Sequence, residues 1–286
     1  MKNIEKYIFH STVFKILKTH YLHLFFKNIE QMGDYTLECS FKIENKAVYP
    51  CRFNVWFNHD YINRLKAALT LAKQFEHVND HIHLSFDQFK GVVDANFDFS
   101  KVRRLVLGID FRSNLKDSRF KIWLVMDPND SSLAKILACG GFSQSYQHFF
   151  LNQSVFLNRS LLLGFDFTFN GENQLKLYPV LFQRDLRNQV FLKELKKIFT
   201  SSVINLMLLC DRFHIGIKEN LKDFIIHFHP KNPRQFIKTV NTINRNDVFN
   251  RVINQVNDAD LNEIFISLSN AEILNRKIES INFYYM

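Results

Sequence analysis

In the run FKIWLVM, Phe120 to Met126, a lysine stands two residues before a tryptophan. Side chains of a strand alternate between its faces, so Lys121, Trp123 and Val125 share one side and Phe120, Ile122, Leu124 and Met126 the other. The pattern recurs. CRFNVWF sets Arg52, Asn54 and Trp56 against Phe53, Val55 and Phe57, and LKLYPVL sets Lys176 and Tyr178 against Leu175 and Leu177. RFHIGIK places His214, Gly216 and Lys218 opposite Phe213, Ile215 and Ile217, and TLECSFKI places Thr36, Glu38, Ser40 and Lys42 opposite Leu37, Cys39, Phe41 and Ile43. One lysine on a strand is ordinarily a solvated face. Its repetition beside aromatic and polar residues, always opposite an apolar face, points to one shared lining.

Such a lining suits an allylic diphosphate. Lysines and arginines converging where water is scarce bind a diphosphate and stabilise it as a leaving group, since charge attraction strengthens as the dielectric falls. The carbocation left behind needs π-faces, which Trp56, Trp123 and Tyr178 supply. Glu38 is the candidate base for the proton of the attacking acceptor. No D-D-x-x-D element occurs, so no aspartate-held metal cluster is expected and no protein metal ligand is assigned; Mg²⁺ enters only as a helper of the diphosphate.

Those faces need strands, and strand-like runs come in pairs: 34–45 with 48–57, 103–111 with 119–126, 160–170 with 174–182, 212–218 with 223–230, and 263–269 with 281–286. Polar links such as NGENQ (170–174) and ENLK (219–222) favour antiparallel hairpins. Between the pairs, 59–77, 84–95, 130–152, 187–209 and 231–256 carry helical periodicity. Five such units behind an N-terminal helical segment, 1–30, with no linker, make a single domain over 1–286. The expected class is α+β: ten antiparallel strands closed around a lumen, which leaves no exposed edge, with an outer ring of helices over the apolar strand faces. Phe120, Ile122 and Leu124 then face helices, and Lys121 and Trp123 face the lumen.

The 286 residues carry 37 Lys and Arg against 28 Asp and Glu, a net charge of +9, which favours an anionic partner. The 31 phenylalanines are read first as the mark of an AT-rich coding sequence and only second as function. Cys39, Cys51, Cys139 and Cys210 have no metal-like or paired spacing, so a reduced, cytoplasmic protein is expected. No run is long enough for a membrane span, and the N-terminus is broken by Lys and His where a signal peptide would be apolar. HVNDHIH (77–83) and HFH (227–229) lack a third ligand at fixed spacing and read as ordinary histidines; His229 is kept as a residue of the lumen mouth near the diphosphate. LKELKKIF (192–199) reads as a solvated outer helix, not a nucleic-acid surface. INFYYM reads as a closing strand with Tyr284 inward.

The hairpin arrangement, with LECSFKIENKAVYPCRF, RSNLKDSRFKIWLVM, LLLGFDFTFNG and INFYY, resembles the cyanobactin peptide prenyltransferases of the ABBA, or prenyltransferase-barrel, fold, from about residue 34 to the C-terminus. The resemblance implies Mg²⁺-assisted transfer of an isoprenoid from its diphosphate to a side chain of a ribosomally made, usually macrocyclic peptide. By motif position Glu38 matches the family's first-strand glutamate and Arg52 the arginine after it; Lys121, Lys176 and Lys218 fall where diphosphate ligands lie. Gly216 matches a position where Phe accompanies a five-carbon donor and Gly a ten-carbon one, so geranyl is favoured over dimethylallyl diphosphate. Three readings compete with it: a small-molecule aromatic prenyltransferase on the same fold, a non-catalytic barrel for a hydrophobic or phosphorylated ligand, and a nucleic-acid binder. The carrier predicts few convergent cations and no placed carboxylate, and the nucleic-acid binder predicts cations on an outer face. If the acceptor is an arginine or histidine, Asp110 or Asp166 is expected to hold it.

Overall fold

A computed structural model describes residues 2–16, 19–44, 47–127, 130–142, 160–217, 224–243 and 264–285. Its strands are β1 (Thr36–Glu44), β2 (Ala47–Phe57), β3 (Val102–Asp110), β4 (Arg119–Met126), β5 (Leu161–Thr168), β6 (Asn173–Phe182), β7 (Cys210–Gly216), β8 (Ile225–Pro230), β9 (Ile264–Ser269) and β10 (Ser280–Tyr285). They form a closed barrel in chain order, with β1 seated between β2 and β10. Adjacent strands are antiparallel, within hairpins and between them. A helical excursion between two hairpins therefore returns the chain to the next place in a meander.

The helices are α1 (Lys2–Phe14), α2 (His20–Gln31), α3 (Tyr61–Val78), α4 (Asp87–Val92), α5 (Asp130–Cys139), α6 (Gln189–Ile198), α7 (Ser201–Leu208), α8 (Pro233–Ile243) and α9 (Asn270–Leu274). The expected N-terminal helical segment is two helices, the second started by Thr19, whose side chain accepts from the Leu22 amide. The stretch 187–209 likewise divides. Phe199 takes an extended backbone and is buried, ending α6 before Thr200 opens α7, a break that the continuous apolar period conceals. The β9–β10 link, expected to be a plain polar turn, holds α9. The remainders of 130–152 and 231–256, and the ENLK turn, lie outside the described residues.

By internal contacts the chain divides into two compact units, residues 1–39 with 51–177, and 40–50 with 178–286. In the first, helices cover the apolar strand faces as the alternation requires. Residues Arg64, Leu65, Ala68, Leu71, Ala72 and Phe75 are the buried stripe of α3, and Phe75 packs on Phe120 of β4 with ring centroids 6.2 Å apart. Phe26 of α2 meets Phe53 of β2 at 5.3 Å, and Phe89 of α4 meets Phe165 of β5 at 4.9 Å. In the second unit Phe236 of α8 covers Phe228 of β8 at 5.1 Å. The all-apolar face of FKIWLVM is thus the one under the helices, and Lys121 and Trp123 point the other way.

Candidate active site

Strand register assembles the first unit's inner face. Arg52 of β2 pairs with Asp110 of β3, Asn54 with Gly108 and Trp56 with Val106; Gly108 pairs with Lys121 of β4 and Val106 with Trp123; Lys121 pairs with Asp166 of β5 and Trp123 with Gly164. Cations and carboxylates therefore lie on two adjacent rows across the strands, Arg52–Asp110–Arg119 and Asn54–Gly108–Lys121–Asp166, with the two indoles on the next row.

Asp110 is almost fully buried and collects cations. Arg52 Nε lies 3.3 Å and Lys121 Nζ 3.8 Å from its Oδ2, and Arg112 Nε lies 3.0 Å from its Oδ1. Asp166 pairs with Lys176, and with Arg119 Nη1 at 3.5 Å. Burial pushes both carboxyls up, but the neighbouring Lys and Arg charges outweigh it and hold both below the ordinary carboxylate range. Lys121 shows the reverse balance. Burial, with Arg52 and Lys176 adding to it, outweighs Asp166 and Asp110, and its pKa falls from 10.5 to about 7. Its ammonium also sits 5.9 Å from the centre of the Trp123 ring.

Glu38 is 2% exposed. Asn54 Nδ2 donates to its Oε1 at 2.5 Å, and the buried Trp56 indole N–H, with no well-formed hydrogen bond, still lies near enough to favour the ionised form. Burial outweighs these and the charges of Arg52 and Lys121, raising the carboxyl from 4.5 to about 7. Asn54 and Gly108 were not foreseen as site residues. The legible signal was Asn54 between Arg52 and Trp56 on one strand face; nothing local marks Gly108, whose partner lies on another strand.

These groups gather Arg52, Arg112, Arg119, Lys121 and Lys176 around two aspartates, so cations stay in excess. The arrangement can hold a polyanion, present indoles to a cation and offer a poised carboxylate. It does not fit a protein-held Mg²⁺: Asp110 and Asp166 already neutralise cations, and among the described residues no group of three or more His, Cys, Asp or Glu is placed for a metal.

In the second unit, His214 and His229 stack with ring centroids 4.6 Å apart, and His227 meets Tyr178 edge-on at 5.1 Å and Tyr284 at 5.8 Å. Arg212 Nε donates to His229 Nδ1 at 2.8 Å. Burial, with the neighbouring His214, Arg212 and His227 charges, holds His229 well below 6.5, so it is a neutral acceptor for Arg212 and brings no charge of its own to a diphosphate. Gly216 is a place of close approach: a Cβ there would lie 2.9 Å from the Tyr178 ring and 2.9 Å from the Ile225 carbonyl oxygen. The room that Gly216 leaves is thus occupied by Tyr178. Lys218 lies outside the described residues.

Among the described residues no helix is long and apolar enough to cross a membrane. The barrel is similar to 5-dimethylallyl tryptophan synthase from Streptomyces coelicolor, solved in complex with DMASPP and Trp, with a TM-score of 0.58 and 10% identity over 97% of this chain and 92% of that one. It is similar to a 6-dimethylallyl tryptophan synthase, with a TM-score of 0.56 and 14% identity over 87% and 80% of the two chains. The 6-dimethylallyltryptophan synthase from Micromonospora olivasterospora, also with DMASPP and Trp, gives 0.55 and 13% over 87% and 81%. Identities this low carry the fold, the prenyltransferase barrel, and nothing finer. No curated protein matches the sequence. Over residues 2–286 the chain belongs to DUF5838, a family of unknown function.

Proposed function

We propose that the protein is a prenyltransferase that moves an isoprenoid from its diphosphate to a side chain of a ribosomally made, macrocyclic peptide, as the resemblance to the cyanobactin enzymes implies. The observation that carries the reading is the convergence of Arg52, Lys121 and Lys176 beside a buried carboxylate, Glu38, and two indoles, Trp56 and Trp123. A passive carrier needs no placed carboxylate, and a nucleic-acid binder would put these cations outside.

Each residue has a role in a balanced step. Arg52, Lys121 and Lys176 hold the diphosphate; as its C–O bond breaks, its oxygens take the bonding pair and the cations absorb the charge. Trp56 and Trp123 present π-faces to the allylic cation and keep water from it. The acceptor heteroatom or ring carbon forms the new bond to the cation and yields its proton to Glu38. Lys121, half-neutral near pH 7 when the site is empty, gains its proton as the diphosphate arrives. No step is routed through Mg²⁺, which would travel with the diphosphate.

The glycine at 216, matching the family position that accompanies a ten-carbon donor, points to geranyl diphosphate. A side chain at 216 would force the Tyr178 ring aside, and each added buried methylene of a donor contributes roughly 0.8 kcal/mol. Purified protein is incubated with Mg²⁺, dimethylallyl or geranyl diphosphate, and a panel of linear peptides, cyclic peptides and free tryptophan, followed by mass spectrometry. One geranyl unit on a cyclic peptide, lost in Glu38→Gln, is the expected result. Transfer to tryptophan alone would replace the peptide acceptor with a small aromatic one, as in the solved neighbours. No transfer from either donor would overturn the reading.

A further inference from the structure

The Glu38 carboxylate receives one well-formed hydrogen bond among the described residues and has the Trp56 indole N–H nearby. Its hydrogen bond from Asn54 goes to Oε1, and Asn54 reaches it from the middle of β2, where it pairs across to Gly108 of β3. The approach depends on Gly108 having no side chain: a Cβ there would stand 2.5 Å from Asn54 Oδ1, and 3.3 Å from Lys121 Cβ. The amide is therefore wedged between a bare stretch of β3 behind it and the carboxylate in front. With Asn54 Oδ1 against Gly108, its Nδ2 is the end turned to Glu38, so the amide acts on the carboxylate as a donor.

We infer that Asn54, seated by Gly108, is a positioning residue for Glu38, holding Oε1 so that Oε2 is the oxygen that takes the acceptor's proton. A donor aimed at a carboxylate favours its ionised form, which opposes the burial that would otherwise keep Glu38 protonated. Without it the balance shifts further toward the protonated carboxyl, which is a weaker base for the acceptor's proton. Gly108 carries a second consequence: the gap that seats Asn54 also accommodates the Lys121 stem, so one glycine sets both the base and a diphosphate-facing cation.

The inference rests on the role proposed for Glu38, and its test is made without donor or acceptor, so the two can fail separately. The protonated-carboxyl infrared band that disappears in Glu38→Gln reports Glu38, and its titration is followed in wild type, Asn54→Ala, Asn54→Ser and Gly108→Ala. Asn54→Ala is expected to raise the midpoint by about one pH unit, the size of effect of a hydrogen bond to a charged group. Gly108→Ala, which keeps the Asn54 amide but displaces it, is expected to move the midpoint the same way, and Asn54→Ser, which keeps a shorter donor, to move it less. Where transfer is measured, the acid limb of kcat/KM moves up by the same amount. An unchanged midpoint in folded Asn54→Ala and Gly108→Ala would overturn the inference. If Asn54→Ala does not fold, Asn54→Ser and Gly108→Ala decide it. Absence of transfer by the wild type would sink the proposed reaction and leave the titration result standing.

Discussion

Replacing Lys121 with Met should make the empty protein more stable while weakening its hold on a diphosphate. The ammonium lies in the inner face of the first unit, 7% exposed, 3.8 Å from Asp110. Attraction to Asp110 and Asp166 fails to offset burial, so its pKa falls from 10.5 to about 7. For a base with a depressed folded pKa, the unfolded chain holds more protons between the two values. The cost to stability is then complete below pH 7 and fades as pH climbs toward 10.5. At about 1.4 kcal/mol per pH unit the cost works out at about 5 kcal/mol at pH 6 and about 2 kcal/mol at pH 9. Met keeps the length and apolar stem of lysine without the charge, and Asp110 retains Arg52 and Arg112 while Asp166 retains Lys176 and Arg119. Urea unfolding of wild type and Lys121→Met at pH 6 and pH 9 should show a stabilisation larger at the lower pH by about 3 kcal/mol. Calorimetry with inorganic diphosphate at pH 7 should show roughly 10- to 100-fold weaker binding, the loss of one charge-assisted contact. A variant less stable than wild type at pH 6 would refute the reasoning, because the ion pairs would then outweigh desolvation. Unchanged diphosphate affinity would remove Lys121 from the binding set.

The proposed chemistry predicts a bell-shaped kcat/KM near pH 7, rising as Glu38 ionises and falling as empty-site Lys121 loses its proton, since both sit at about 7. Lys121→Arg should abolish the falling limb below pH 10, because a guanidinium stays charged; two limbs unmoved by Glu38→Gln and Lys121→Arg would assign them to other groups. Gly216→Ala should displace Tyr178 and lower the geranyl-to-dimethylallyl rate ratio in a competition assay, and an unchanged ratio would leave Gly216 as a packing residue only. Asp166→Asn should destabilise the protein by about 3–5 kcal/mol in denaturant unfolding, because it strips the carboxylate from buried Lys176; a change under about 1 kcal/mol would show that water already compensates the pair. The same engagement with Lys176 and Arg119 argues against Asp166 as the holder of a cationic acceptor.

Much of the fold was open to reading because strand alternation is local. The two sides of FKIWLVM differ in chemistry, and burial of the apolar side under Phe75 follows from that difference alone. Glu38, Arg52, Lys121 and Lys176 were recognisable as inner-face residues for the same reason. The break at Phe199–Thr200 was hidden because helical period continues across it. Whether a polar residue is paired, charged or neutral was equally hidden, since that depends on what lies across the strands. Asp110 and Asp166 were read as carboxylates able to receive an acceptor, yet register gives them to the protein's own cations. His229 was read beside the diphosphate and is a neutral acceptor for Arg212.

The amino-acid sequence by itself determined the alternating strands, the helices that cover them and the residue types of the lining, because period and polarity are properties of neighbours along the chain. Only the tertiary structure decided that Gly108 of β3 makes room for Asn54 of β2 to grip Glu38 of β1, and that Tyr178 fills the room beside Gly216. Close approach between strands, and the dielectric that sets Glu38 and Lys121 near neutrality, are collective results of packing, and no spacing along one strand encodes them.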